Sequence, residues 1–175
     1  MLPEENRRNV QRFFDEVFNL GDLEVADELF SPDYVRRQLG LPEGPHGPKA
    51  IKAFVSLFRK VFPDAEVVVE GEMIAEGNKV ASKWTASGHL ADTLPNNPST
   101  GDELAVSGIS IFSLSENGLI TSTDELILSH GTSTPSQDVL DWLLEDPQIR
   151  QLTEDEDDPW RWPPIPGICH WCHCC

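Results

Sequence analysis

Glu103-Leu104-Ala105-Val106-Ser107-Gly108-Ile109-Ser110-Ile111-Phe112-Ser113-Leu114 is followed by Ser115-Glu116-Asn117-Gly118 and then by Leu119-Ile120-Thr121-Ser122-Thr123-Asp124-Glu125-Leu126-Ile127-Leu128. Two runs rich in β-branched residues, joined by a turn with the Asn-Gly pair favoured in tight hairpins, read as adjacent antiparallel strands. Ala65 to Ala75 and Lys79 to Gly88 have the same character, with Glu76-Gly77-Asn78 as a second hairpin connection. Between the pairs, Asp92 to Gly101 is rich in proline and asparagine and reads as a longer loop.

Upstream the period changes. Val10, Phe13, Phe14, Val17 and Phe18 recur at three- and four-residue spacing, which predicts an amphipathic helix over Glu4 to Leu20, closed by Gly21. Asp22 opens a second short helix with Leu23, Val25, Ala26, Leu29 and Phe30, stopped by Ser31-Pro32-Asp33 and followed by Tyr34-Val35. After a turn-rich loop (Gly40 to Gly47), Pro48 opens a third helix with Ile51, Phe54, Val55, Phe58 and Val61. Phe62-Pro63-Asp64 ends it, because proline biases its predecessor away from helical angles. Helices followed by antiparallel strands predict an α+β fold: a curved antiparallel sheet wrapped around N-terminal helices as an apolar cone. Trp84, Tyr34 and Met73 read as core.

Of 175 residues, 39% are hydrophobic, enough for one core, and the net charge is −17. Such acidity argues against nucleic acid, whose phosphates need a basic surface, and against anionic membranes. No apolar run approaches the ~20 residues of a membrane span. Met1-Leu2-Pro3-Glu4-Glu5-Asn6-Arg7-Arg8 lacks the order of a secretory signal, so the expected setting is a reducing cytoplasm.

Asn19-Leu20-Gly21-Asp22, Ser31-Pro32-Asp33-Tyr34-Val35, the Gly47 to Phe62 helix with Pro63-Asp64, Trp84-Thr85-Ala86-Ser87-Gly88-His89, Thr100-Gly101 and Val106-Ser107-Gly108-Ile109-Ser110-Ile111-Phe112 together resemble the SnoaL-like polyketide cyclases, of the nuclear-transport-factor-two-like superfamily. The resemblance spans roughly residues 5 to 131 and implies a cone-shaped α+β barrel. It also implies an acidic general acid/base on the last strand, in a stretch resembling Gly-Lys-Ile-x-x-x-Trp-x-x-x-Asp. Here Asp124 stands where that pattern has tryptophan, and Leu128 where it has aspartate. Arg36-Arg37 replaces a histidine that often follows the Tyr-Val pair. These departures predict a degenerate domain, a fold kept without its original catalysis. The fallback catalytic residues are Asp124, if it faces the cone, with His89 or His130 to orient it. The competing reading puts Asp124-Glu125 on the outward strand face.

Residues 1–131 thus form the cone domain. From Thr132 a capping box (Thr134, Pro135, Gln137) starts an added helix over residues 132–152, with Val139, Leu140, Trp142, Leu143 and Leu144 on its apolar side. It docks either on a partner or on the domain's own sheet. Residues 153–167 are a linker, five consecutive acids (Glu154 to Asp158) and then a Trp/Pro-rich segment. The tail, residues 168–175, holds all four cysteines of the chain in Cys169-His170-Trp171-Cys172-His173-Cys174-Cys175.

That segregation leads to three expectations. The leading one is a precursor of a ribosomally synthesised, post-translationally modified peptide. Its cone domain serves as leader for docking tailoring enzymes, and Cys169, Cys172, Cys174, Cys175, His170, Trp171 and His173 form the core. The second is a SnoaL-like cyclase or hydrolase acting on a hydrophobic polyketide-like substrate. The third is a zinc or copper(I) binding or delivery protein using Cys169, Cys172, His173 and Cys174, soft donors with a two-residue gap between the first thiolates. No cofactor is expected on the first two readings. Cys169-His170-Trp171-Cys172-His173 also has the spacing of c-type haem attachment, but no export signal or shielding fold accompanies it. A homodimer through the sheet is a further expectation from the resemblance.

Overall fold

A computed structural model describes residues 2–38, 46–91 and 103–129. The added helix, the linker, the cysteine tail and His130 lie outside the described residues, and so do all expectations placed on them.

Helix α1 (Pro3–Arg12) starts with proline in its first turn, and Glu5 accepts a hydrogen bond from the Leu2 N–H at 2.9 Å. It does not continue as a regular α-helix to Leu20, as the periodicity predicts. From Phe13 to Asn19 the chain winds as a wider π-helix, which turns Phe13, Phe14, Val17 and Phe18 together into the core. Such turns are uncommon and cluster at functional sites. Arg59 closes this end by donating to the carbonyls of Phe18 (3.2 Å) and Asn19 (2.9 Å), which the helix leaves unpaired. The Asn19 side chain pairs both ways with the Val67 backbone at 2.8 Å and fastens the helix to the sheet edge.

Helix α2 (Val25–Leu29) is short, and its last apolar residue, Phe30, already begins strand β1 (Phe30–Gln38). Helix α3 (Gly47–Val61) follows. Gly47 adopts φ +73°, and a Cβ there would stand 2.7 Å from the Pro32 carbonyl oxygen, so the helix starts hard against β1.

The strands are β2 (Glu66–Val69), β3 (Ile74–Glu76), β4 (Lys79–His89), β5 (Glu103–Leu114) and β6 (Ile120–Ser129). The run from Ala65 to Ala75, expected as one strand, is two: the chain breaks around Gly71, and each piece pairs separately with β4. The sheet runs β1-β6-β5-β4-β2, with β3 also on β4. All pairings are antiparallel except β1 with β6, which is parallel. The strands expected from the sequence thus pair antiparallel, and β1, a strand that the sequence reading did not include, adds a parallel edge. The reason is that β1 comes from among the helices, and its connection to β6 spans most of the chain, which parallel pairing permits. The curved, unclosed sheet wraps its inner face around the helices, as the cone expectation required.

Gly108 is the closest fit in this layer. It faces Trp84 across the β4–β5 ladder, and a Cβ on it would lie 2.4 Å from the indole Cζ2. The missing side chain lets the indole lie across β5. Gly108→Ala should displace Trp84 and destabilise the domain by about 1–3 kcal/mol, as overpacking does. Urea unfolding with tryptophan fluorescence would measure both effects.

Candidate functional site

Between helices and sheet lies a cavity of about 210 Å³. The π-helix supplies Phe13, Phe14 and Phe18, and α3 supplies Ile51, Phe54 and Phe58. From the sheet come Val67, Trp84, Ala86, Val106 and Ile127. The rings meet edge-on or tilted, for example Phe13 with Phe18 at 6.1 Å and Phe18 with Phe58 at 5.1 Å, an arrangement that aromatic quadrupoles favour.

Into this apolar space project Tyr34 and Arg36 from β1 and Thr123 and Glu125 from β6. The Glu125 side chain is 11% exposed and that of Arg36 21%. Arg36 Nη2 stands 2.5 Å from Glu125 Oε2. The two side chains form an ion pair between β1 and β6. Glu125 Oε1 accepts from Ser110 Oγ at 3.2 Å, and Ser110 Oγ accepts from Trp84 Nε1 at 2.8 Å. The Arg36 guanidinium also lies over the Phe54 ring, 4.0 Å from its centre. Tyr34 Oη donates to Thr123 Oγ1 at 3.1 Å. Burial raises the Tyr34 hydroxyl well above the ordinary phenol range, against a smaller lowering by Thr123, so it stays protonated.

Neither fallback catalytic residue reaches the cavity. Asp124 lies on the outer face, 48% exposed, and pairs with Arg37 at 3.3 Å. His89 closes β4 on the outside and pairs through Nδ1 with Asp64 Oδ2 at 2.8 Å, its backbone N–H donating to Asp64 Oδ1 at 2.7 Å. The backbone of Leu128 pairs with Ser107. The expectation that Asp124 and Glu125 share the outward face is corrected for Glu125, since neighbours on a strand point to opposite sides. Trp84 and Tyr34 are buried, as expected of core residues, and in addition line the cavity. Arg36, Ser110, Thr123 and Glu125 belong to the site, and the sequence had given none of them a role there. The available signal was the adjacency of Asp124 and Glu125 on one strand: if either faces out, the other faces in.

The family model for SnoaL-like polyketide cyclases matches residues 8–127, well over half of the chain. The chain belongs to this family. Its fold is similar to that of a putative SnoaL-like polyketide cyclase from Jannaschia sp. CCS1 (24% identity, TM-score 0.62, 71% of this chain and 85% of the other covered). It is also similar to IdmH, a putative polyketide cyclase from Streptomyces antibioticus (22%, 0.61, 73% and 92%). TsrD from Streptomyces laurentii is comparable (20%, 0.61, 73% and 90%). No curated protein matches the chain. Among the described residues no helix is long and apolar enough to cross a membrane.

Two predictions follow from the charges. Arg36→Met leaves Glu125 in the apolar wall without its counterion and should cost about 1–3 kcal/mol, less than the fully buried case because the pair is partly solvated. Arg36→Met with Glu125→Gln should recover much of that loss in urea unfolding. Asp64 is held below the ordinary carboxylate range, first by the backbone N–H of His89 and then by its side chain. A depressed carboxyl stabilises the fold above its unfolded pKa of about 4 and loses that contribution as pH falls through its lower folded value. Asp64→Asn should therefore be less stable than wild type at neutral pH, with the gap closing below about pH 4.

Proposed function

We propose that the domain is an enzyme that moves a proton at a carbon next to a carbonyl, on a small apolar ring compound held in the cavity. The supporting observation is Glu125: among the described residues it is the carboxylate that lines the cavity, held by Arg36 and Ser110 against walls made mostly of aromatic and aliphatic side chains. Glu125 takes the proton as the C–H bond breaks, and the electron pair passes to the carbonyl oxygen. The resulting enolate either adds to a second carbonyl of the same molecule, closing a ring, with the proton on Glu125 passing to the alkoxide that forms, or, where a double bond is conjugated with it, is reprotonated by Glu125 at the far carbon of that dienolate. The first outcome is cyclisation, the chemistry named in the family description, and the second is isomerisation. Since the cavity of about 210 Å³ falls below the roughly 300–1,000 Å³ usual for drug-sized ligands, the substrate portion inside it is one or two rings.

Exchange of the α-hydrogens of 2-tetralone with D₂O, followed by NMR, tests this. Wild type should accelerate exchange, and Glu125→Gln should lower the enzymatic rate about 10²–10⁴-fold, the usual worth of a positioned base. Asp124→Asn and deletion of residues 154–175 should leave it unchanged. Absence of any acceleration by wild type over buffer would count against the proposal.

The segregation of all four cysteines in the last seven residues favours a second reading, a peptide precursor with this domain as leader. Its argument from a cone without an acid is weakened by Glu125. Coexpression with neighbouring genes discriminates: mass shifts confined to residues 160–175 would support the precursor, and an unmodified tail would not.

A further inference from the structure

We propose that Arg36 binds the anionic oxygen of the ligand, so that the substrate is a ring carbonyl compound recognised as its enolate. This rests on the proton-transfer reading and specifies its substrate. Glu125 and Arg36 enter the cavity from neighbouring strands, and the parallel register that sets Arg36 beside Thr123 puts the guanidinium next to the carboxylate two residues on. Arginine carries five N–H donors. Its charged contacts among the described residues are Nη2 with Glu125 Oε2 and the guanidinium carbon over the Phe54 ring. The Phe54 ring holds the guanidinium from one side, and one ion pair engages Nη2 alone, so a five-donor fork has N–H groups to offer an oxygen placed beside Glu125.

Charge conservation gives this arrangement its purpose. Before the reaction the negative charge sits on Glu125 and Arg36 balances it. When Glu125 takes the proton it becomes neutral, and the charge moves with the electron pair to the ligand oxygen. Arg36 then balances the enolate without any new charge entering an apolar space, where an unpaired anion is strongly disfavoured. The Trp84–Ser110–Glu125 chain of hydrogen bonds keeps the carboxyl in place as Arg36 changes partner. Tyr34, kept protonated and engaged with Thr123, adds no second negative charge.

The test is binding of 2-naphthol, a flat two-ring enol, beside naphthalene as its uncharged counterpart. Free 2-naphthol is neutral at pH 7, its hydroxyl being of the phenol type that ionises near pH 10. Bound to wild type it should show the absorbance of naphtholate, its proton having passed to Glu125. Glu125→Gln should keep that spectrum, since Arg36 is then without a carboxylate. Arg36→Met with Glu125→Gln, a pair without unbalanced charge, should bind 2-naphthol as the neutral form and at least tenfold more weakly than Glu125→Gln binds it. Naphthalene should bind wild type and the double variant alike. If wild type takes up naphthalene but binds 2-naphthol neutral, or if the double variant shows naphtholate, the role of Arg36 is overturned while the cavity stands as a ligand site. If neither compound binds wild type, the cavity is not such a site and both proposals fall.

Discussion

The ion pair between Arg36 and Glu125 constrains the rest of the cavity. A carboxylate against phenylalanine rings is costly without a counterion, and a guanidinium there is equally costly without an anion. Each is tolerated because the other is present, and their meeting depends on backbone far apart in sequence. Strand β1 must run parallel to β6, in a register that brings residue 36 beside residue 123. A one-residue slip would move Arg37 inward and Arg36 outward, and would strand Glu125. The outer pair, Arg37 with Asp124, has the same charge pattern in solvent, where it contributes little.

Packing around the pair explains several residues that otherwise look unremarkable. The wider turn over Phe13–Asn19 brings three phenylalanines to one wall, and Asn19 with Arg59 hold its end against β2 and α3. Gly108 gives Trp84 room to lie across β5, and only there does the indole N–H reach Ser110. Ser110 in turn completes the seat of Glu125. The chain from a backbone glycine to an acid in the cavity runs through ordinary van der Waals contact and two hydrogen bonds.

Membership of the SnoaL-like family fixes the scaffold, and scaffolds of this kind accept many chemistries, so function must be argued from the side chains at the site. Here they combine a small aromatic cavity with a balanced pair of charges, in a chain whose surface is strongly acidic. The acidic side chain that lines the cavity is Glu125, three residues before Leu128 on the same strand.

The three helical regions, the hairpin turns at Gly77 and Gly118, the core aromatics and the family were legible in the sequence, because period and turn chemistry are local, whereas strand β1 between the second and third helices was not. Three further structural features were not. The break at Gly71 divides a run whose composition is uniform, and the parallel placement of β1 depends on a partner some 90 residues away in sequence. The third was which of two adjacent acids faces inward. Alternation says that Asp124 and Glu125 point to opposite faces, but both are acidic, so the local pattern carries no preference. Strand alternation alone requires that β6 present one acid to each side of the sheet. That Glu125 is the inner one follows from long-range packing: β6 between β1 and β5 sets Arg36 and Ser110 beside it and leaves Asp124 to solvent and Arg37.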